Sequence, residues 1–126
     1  MYIKEFSARS GFSSDTLRYY EKIGLIAPPM RDGGGRRVYS KADLTWTEFL
    51  GRLKATGMGI SEMGRYARLR AEGDQTATER QQLLKAHRKK VRAQIAILNE
   101  NLAALDKKID TYSAMIEAGK GERNGS

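Results

Sequence analysis

Residues 12–26 read FSSDTLRYYEKIGLI and decide the fold, because they predict a short, well-bounded helix. One of the two serines that precede Asp15 can accept a hydrogen bond from a free backbone N–H at the helix start. Asp15 then lies in the first turn, where the helix dipole favours a carboxylate. Leu17 and Tyr20 fall on one face, and Gly24 is a natural stop.

A second short helix precedes this one. Ile3 and Phe6 have helical spacing, and Gly11 supplies the turn that follows. The polar face of the helix after the turn carries Ser14, Thr16, Arg18 and Tyr19. Two helices joined by a tight glycine turn are typical of a helix-turn-helix, whose second helix enters the DNA major groove. The same polar face also suits an ordinary solvated helix, so the pattern alone leaves both interpretations open.

A glycine-rich loop comes next, since two prolines end the helical pattern and residues 31–39 read RDGGGRRVY. Its last residues have a β-like pattern, which predicts a hairpin, or wing, tipped with arginine. Arg36 and Arg37 suit phosphate contact because guanidinium groups pair bidentately with phosphate oxygens. The three glycines also suggest a nucleotide-binding loop, but no G-x-x-x-x-G-K-[ST] pattern is present, which disfavours that function.

Two further helices are predicted before residue 74. The first spans about 41–55 after the capping pair Ser40 and Asp43. Its apolar stripe consists of Leu44, Trp46, Phe49, Leu50 and Leu53. The second is capped by Ser61, and its apolar residues are Ile60, Met63 and Ala67. We interpret Met30, Met58, Met63, Trp46 and Phe49 as core residues or, alternatively, as the lining of a small pocket.

A heptad seam dominates the rest of the chain. Thr76 and Glu79 match a capping box, and a helix over 77–118 would be on the order of 60 Å long. The seam consists of Val91, Ile95, Leu98, Leu102, Leu105, Ile109, Tyr112 and Ile116. Its regular alternation favours a two-chain coiled coil over a helix packed back on its own domain. Arg88 interrupts the seam, so the first turns of the helix are expected to meet the N-terminal domain instead.

These elements predict a mainly α protein with four parts. They are a candidate winged helix-turn-helix domain (1–70), a connector (71–76), a candidate dimerisation helix (77–118) and a flexible tail (119–126). A basic run beside the seam is typical of a solvated helix face and is left without a function. It consists of Lys85, Arg88, Lys89, Lys90 and Arg92.

Composition narrows the function. The 126 residues carry 23 basic and 15 acidic side chains, and 13 of the basic ones fall before residue 71 against 7 acidic ones. This excess of positive charge predicts that the N-terminal half binds an anionic partner. The chain has no cysteine and one histidine, His87, expected at the surface. The lack of cysteine excludes thiolate metal sites. The sequence also shows no recognisable set of catalytic residues and no cofactor-binding loop. We predict no metal, no cofactor, no membrane span and a cytoplasmic location.

The motifs closely resemble those of the MerR family of bacterial transcription regulators. The resemblance rests on residues 16–26 (TLRYYEKIGLI), 37–44 (RVYSKADL), 49–50 (FL) and 57–60 (GMGI). It covers residues 2 to about 70 and continues into the long helix. The resemblance implies a winged helix-turn-helix whose two copies are joined by an antiparallel coiled coil. Such a homodimer binds double-stranded DNA at an inverted repeat in a promoter spacer and distorts it so that RNA polymerase can engage.

The resemblance also assigns residues. It maps Ser14, Thr16, Arg18 and Tyr19 to the recognition helix, Arg36, Arg37 and Tyr39 to the first wing, and Lys54 to the start of a second wing. Arg36 departs from the family pattern, which often has an aromatic residue there. The missing cysteines exclude thiol-based effector sensing. A small-molecule effector of unknown identity would have to sit at the junction of coil and domain. An architectural or excision-type DNA-binding protein without regulatory output is the alternative function.

Overall fold

The computed structural model describes the backbone of residues 1–125 and the side chains of residues 1–120. The elements are α1 (Ile3–Ser10), α2 (Ser14–Lys22), β1 (Met30–Arg31), β2 (Arg37–Val38), α3 (Lys41–Ala55), α4 (Ile60–Glu72), a 3₁₀ turn (Asp74–Thr76) and α5 (Ala77–Gly125). The protein is therefore mainly helical, with one two-stranded sheet, as the sequence predicts. Of the helices in the described part of the chain, none combines the length and hydropathy needed to cross a membrane.

The turn between α1 and α2 is built by a glycine and a serine. Gly11 adopts φ 82°, a left-handed conformation that any side chain would strain, and its N–H donates to the carbonyl of Ser7. Ser13 then caps α2 by accepting a hydrogen bond from the backbone N–H of Thr16 at 3.1 Å. Leu17 and Tyr20 are buried, as their spacing predicts.

The wing is a short antiparallel hairpin in which Met30 pairs with Val38 and Arg31 with Arg37. The Asp32 carboxylate organises the turn between the strands by accepting hydrogen bonds from the N–H groups of Gly34 and Arg36. The interpretation of Met30 as a core residue is wrong, because its side chain is 80% exposed on this two-residue strand. Both residues of β1 are exposed, whereas both residues of β2 are half-buried, so β1 is the strand of the hairpin that packs less against the rest of the unit.

Helices α3 and α4 differ in how they begin. α3 starts with the predicted capping box, in which Ser40 and Asp43 exchange hydrogen bonds with each other's backbone N–H. α4 instead starts after Gly59, without a side-chain cap, so the prediction of Ser61 as N-cap is wrong. The helix thus begins two residues earlier than predicted. Ile60 in its first turn is 45% exposed, while Met63 and Ala67 are buried.

One compact unit spans Met1–His87 and therefore includes the first turns of α5. Its core is formed by residues of α1 to α4 and of the segments that connect them: Phe6, Leu17, Tyr20, Leu25, Ile26, Tyr39, Leu44, Trp46, Leu50, Leu53, Met58, Met63 and Ala67. Leu83 and Leu84 of α5 pack against it, as the interruption of the seam at Arg88 predicts. The expectation of a surface histidine is wrong, because His87 is 8% exposed. Its Nε2 hydrogen-bonds the Thr56 hydroxyl at 2.8 Å, which satisfies the buried imidazole.

The second unit begins at Arg88 and consists of the remainder of α5. Ile95, Leu98 and Leu105 of the seam are 51–66% exposed there. The helix extends to Gly125, beyond the predicted end at 118, and a Glu117–Lys120 ion pair one turn apart supports this extension. Of the predicted flexible tail at 119–126, the side chains after residue 120 and all of Ser126 lie outside the described residues.

Candidate DNA interface

The outward face of α2 presents a tyrosine and an arginine. Tyr19 is 50% exposed, and the Arg18 guanidinium forms an exposed ion pair with Asp15 at 3.3 Å, one turn back. An exposed pair of this kind contributes little stability, so Arg18 can exchange Asp15 for another acceptor. The Thr16 hydroxyl accepts a hydrogen bond from Ser13 within the cap, and Ser14 is partly exposed beside it.

At the wing tip, Arg36 is held in place by three contacts. Its Nε donates to Oδ2 of Asp32 at 3.2 Å, its Nη2 donates to the Tyr2 hydroxyl at 3.1 Å, and its guanidinium lies 4.2 Å from the centre of the Tyr2 ring. The Tyr2 hydroxyl in turn donates to Asp32 at 2.8 Å. Hydrogen bonds from the Arg36 N–H and from Tyr2 lower the pKa of Asp32 to about 2, and the bond to Asp32 raises the pKa of Tyr2. Arg36 is thus positioned before any DNA arrives.

Arg37 joins the wing to the recognition helix. Its Nε donates to Oε2 of Glu21 in α2 at 2.8 Å, and both side chains are largely shielded from solvent. Such a pair links the two elements but adds little net stability, because desolvation offsets the attraction. The bond uses one edge of the guanidinium. The sequence predicted the arginine but not its carboxylate partner.

Tyr39 belongs to the core rather than to the surface. It is 3% exposed, and its ring stacks on Phe6 with 4.1 Å between centroids. Burial, together with the Glu21 charge, raises the pKa of its phenol, so the group stays protonated. A contact between Tyr39 and DNA would therefore involve the hydroxyl as a hydrogen-bond donor and not the ring.

A groove of about 770 Å³ runs between α1, α2 and the wing. Five cationic side chains line it, namely Lys4, Arg18, Arg31, Arg36 and Arg37, against the single carboxylate of Glu5. Arg31 is fixed on the hairpin, since its Nη1 donates to the Gly35 carbonyl at 2.6 Å. Such a cationic groove suits a phosphate backbone. The structure thus brings three of the predicted residues together: Arg18, Arg36 and Arg37.

Lys54 lies apart from this groove, on the last turn of α3. Its Nζ is 5.6 Å from the centre of the Phe12 ring, and its side chain is exposed. Phe12 follows the helix-turn-helix glycine, so Lys54 flanks the turn rather than the wing. Lys54 therefore adds a positive charge beside the helix-turn-helix, in addition to those of the groove.

Sequence reasoning missed Tyr2, Lys4, Arg31 and Glu21. Tyr2 precedes α1 and reaches the wing tip across 30 positions, which no helical or strand period reports. Arg31 and Lys4 were detectable only as members of the basic excess before residue 71. Within the described residues no group of three or more His, Asp or Glu side chains converges to hold a metal ion.

The fold and the groove define a winged helix-turn-helix DNA-binding protein. Two family models match the chain: "MerR HTH family regulatory protein" over residues 1–69 and "MerR, DNA binding" over residues 47–108. The chain belongs to the MerR family of transcription regulators. Its function is DNA-binding transcription regulation.

Individual relatives are similar to this chain over nearly its full length. The Bacillus subtilis HTH-type transcriptional regulator YyaN, itself uncharacterised, is 31% identical, with 91% of this chain and 92% of YyaN covered. A crystal structure from Listeria monocytogenes assigned to the MerR transcriptional regulators has a TM-score of 0.89 and 38% identity, covering 97% of this chain and 92% of that one. HiNmlR, a MerR family regulator lacking the sensor domain and crystallised bound to promoter DNA, has a TM-score of 0.80 and 34% identity, covering 99% and 94%.

Proposed function

We propose that the chain acts as a homodimer that binds an inverted repeat in a promoter spacer, distorts the DNA and thereby controls transcription by RNA polymerase. The observation that carries the proposal is the cationic groove between recognition helix and wing in a chain that also leaves an apolar seam exposed. The first feature supports DNA binding by one copy, and the second supports pairing of two copies. Such a regulator acts in the cytoplasm, where the promoter DNA is located.

The DNA contacts divide into reading and positioning residues. Thr16, Arg18 and Tyr19 stand on the recognition helix, where polar side chains can reach base edges in the major groove. Ser14 stands at its first turn. Arg36, Arg37 and the Tyr39 hydroxyl are assigned to phosphates at the wing, and Lys54 to a phosphate flanking the turn. Arg36 is supported most strongly, since Asp32 and Tyr2 hold its guanidinium before binding and so reduce the entropy lost on binding.

Dimerisation through α5 is supported by the pattern of exposure. Leu98, Leu102 and Ile109 are each at least 54% exposed, on a helix face whose apolar residues recur every three or four positions. In an antiparallel pair, position a of one helix faces position d of the other. One register then uses all eight seam residues, pairing Val91 with Ile116, Ile95 with Tyr112, Leu98 with Ile109, and Leu102 with Leu105.

DNA distortion supplies the regulatory output in this proposal. Deforming a promoter costs on the order of several kcal/mol, which phosphate contacts from two wings can offset. The relative HiNmlR was crystallised on promoter DNA without a sensor domain. This supports promoter DNA as the partner of this chain.

A selection experiment tests the proposal. Duplexes enriched by the protein from a random library are expected to contain an inverted repeat. The protein should bind the intact repeat at least about 1000-fold more tightly than a scrambled duplex, as specific DNA-binding proteins do. Transcription from a promoter carrying the repeat between its two polymerase elements should change on addition of protein. Enrichment without a repeat would contradict the proposal, and bending without a change in transcription would favour an architectural protein.

Cross-linking tests the antiparallel register. Because the chain has no cysteine of its own, only the introduced cysteines can form disulfides. Leu98→Cys and Ile109→Cys variants are mixed and oxidised with copper phenanthroline. The register predicts a disulfide between the two different variants and little cross-linking of either alone. A parallel coil would instead cross-link each variant to itself and would contradict the antiparallel assignment.

A further inference from the structure

A second cavity lies in the N-terminal unit, away from the groove and wing. It has a volume of about 520 Å³ and is formed where α3, α4 and the start of α5 meet. Trp46 and Phe49 of α3, Tyr66 and Arg70 of α4, and Arg80 of α5 line it. Nothing in the proposed DNA contacts uses these residues.

Three aromatic rings form one wall of the cavity. Trp46 is fixed, because its Nε1 donates to the Leu25 carbonyl at 2.8 Å and its ring stacks on Tyr66 at 5.8 Å between centroids. Phe49 and Tyr66, both half-buried, lie 5.8 Å apart with their planes tilted by 47°. An aromatic wall with partial solvent access favours a flat, apolar molecule.

Two arginines give the cavity a positive charge. Arg70 lies with its guanidinium 4.3 Å from the Trp46 ring centre. Arg80 is held by Thr76 and Gly73, to which its Nε and Nη2 donate, so its Nη1 remains for a bound anion. The lining described in the structure contains no Asp or Glu. A preorganised guanidinium beside a second one is a strong receptor for a carboxylate, which both can contact through charge-assisted hydrogen bonds.

We propose that this cavity binds a small planar aromatic carboxylate. The ring lies against Phe49 and Tyr66, and the carboxylate pairs with Arg70 and Arg80. A volume of about 520 Å³ is within the range of small-molecule sites. Binding in this cavity is independent of DNA binding, since none of the residues that line it lines the cationic groove.

The sole tryptophan makes the test direct, because Trp46 lines the cavity. The full chain, without DNA, is titrated with 2-naphthoate and with neutral 2-naphthamide while Trp46 emission is followed. We expect saturable quenching by naphthoate, with a Kd at least about 10-fold lower than for the amide, as a charged hydrogen-bonding group requires. Arg70→Gln and Arg80→Gln should each remove this preference.

Arg68→Gln is the matched control, since Arg68 is an exposed arginine of the same helix that does not line the cavity. It should bind naphthoate as the unaltered chain does. Equal affinity for acid and amide, or equal losses in Arg68→Gln and Arg70→Gln, would overturn the proposal. So would Trp46 emission that responds to protein concentration but not to naphthoate, because a second copy of the chain would then occupy the cavity.

Discussion

The unit Met1–His87 and the helical unit from Arg88 use their apolar residues in opposite ways. In the first, Leu17 and Leu50 are at most 1% exposed. In the second, Leu98 and Leu105 are more than 60% exposed, although they recur as regularly as core residues do. The apolar residues of the first unit therefore form its own core, whereas those of the second remain exposed on a surface that we propose a second copy of the chain covers. The difference separates residues that act on stability from residues that act on assembly.

Replacing a leucine of the first unit should have the largest effect. Leu50→Ala removes a side chain with 0% exposure and leaves a cavity, so the free energy of unfolding should fall by about 2–5 kcal/mol. Urea denaturation followed by circular dichroism measures this. Ile97→Ala, at an exposed position outside the seam, should change stability by less than about 0.5 kcal/mol. Equal losses would contradict the contrast between the two units.

A charge placed in the seam should act on assembly instead. Leu98→Glu introduces a carboxylate into a contact that would exclude water, and the dimer dissociation constant should rise about 100-fold or more. Sedimentation velocity over a concentration series reports it. Ile97→Glu, one residue away but off the seam, is the control and should leave the dimer intact. If both variants dissociate alike, the seam is not the interface.

Two arginines of the groove should separate reading from positioning. Arg18→Ala should lower discrimination between the selected and altered base pairs by about 1–3 kcal/mol. Arg36→Ala should weaken binding to every duplex and reduce the slope of log affinity against log salt by about one. Fluorescence anisotropy at several salt concentrations distinguishes the two. The assignment fails if both variants change selectivity equally.

The smallest expected effect concerns acid and the wing. The pKa of Asp32 is lowered from 3.8 to about 2, so its contribution to wing order is complete above pH 4 and is lost as the pH falls towards 2. Amide chemical shifts of Gly34 and Arg36, which donate to this carboxylate, should report the change. Asp32→Asn should abolish that pH step. A step with a midpoint near 4 would show that the hydrogen bonds are not maintained in solution.

Periodic features of the chain were predictable. The Ser40–Asp43 capping box, the buried Leu17 and Tyr20, and the seam from Val91 follow from spacing and local hydrogen bonding, which sequence displays directly. The separation of Leu83 and Leu84 from the seam also followed, because Arg88 interrupts the repeat. These features depend on neighbours within a turn or two.

Contacts between distant residues were not predictable in the same way. Tyr2 meets Asp32 and Arg36 only because folding brings the start of α1 beside the wing. Glu21 meets Arg37 because folding also brings α2 beside it. His87 was expected at the surface because its partner Thr56 lies 31 residues away. The sequence therefore predicted several of the cationic residues of the candidate site, but not how they are arranged. Their arrangement depends on these contacts between distant residues, which no local sequence pattern indicates.

In the proposed function, the groove of the first unit binds DNA and the seam of the second unit brings two copies of the chain to it. Native mass spectrometry of the protein on its selected inverted-repeat duplex, over a concentration series, tests this directly. We expect a complex of two chains per duplex with little one-chain complex, and loss of that complex for Leu98→Glu. A stable complex with one chain, or an unchanged two-chain complex with Leu98→Glu, would contradict it.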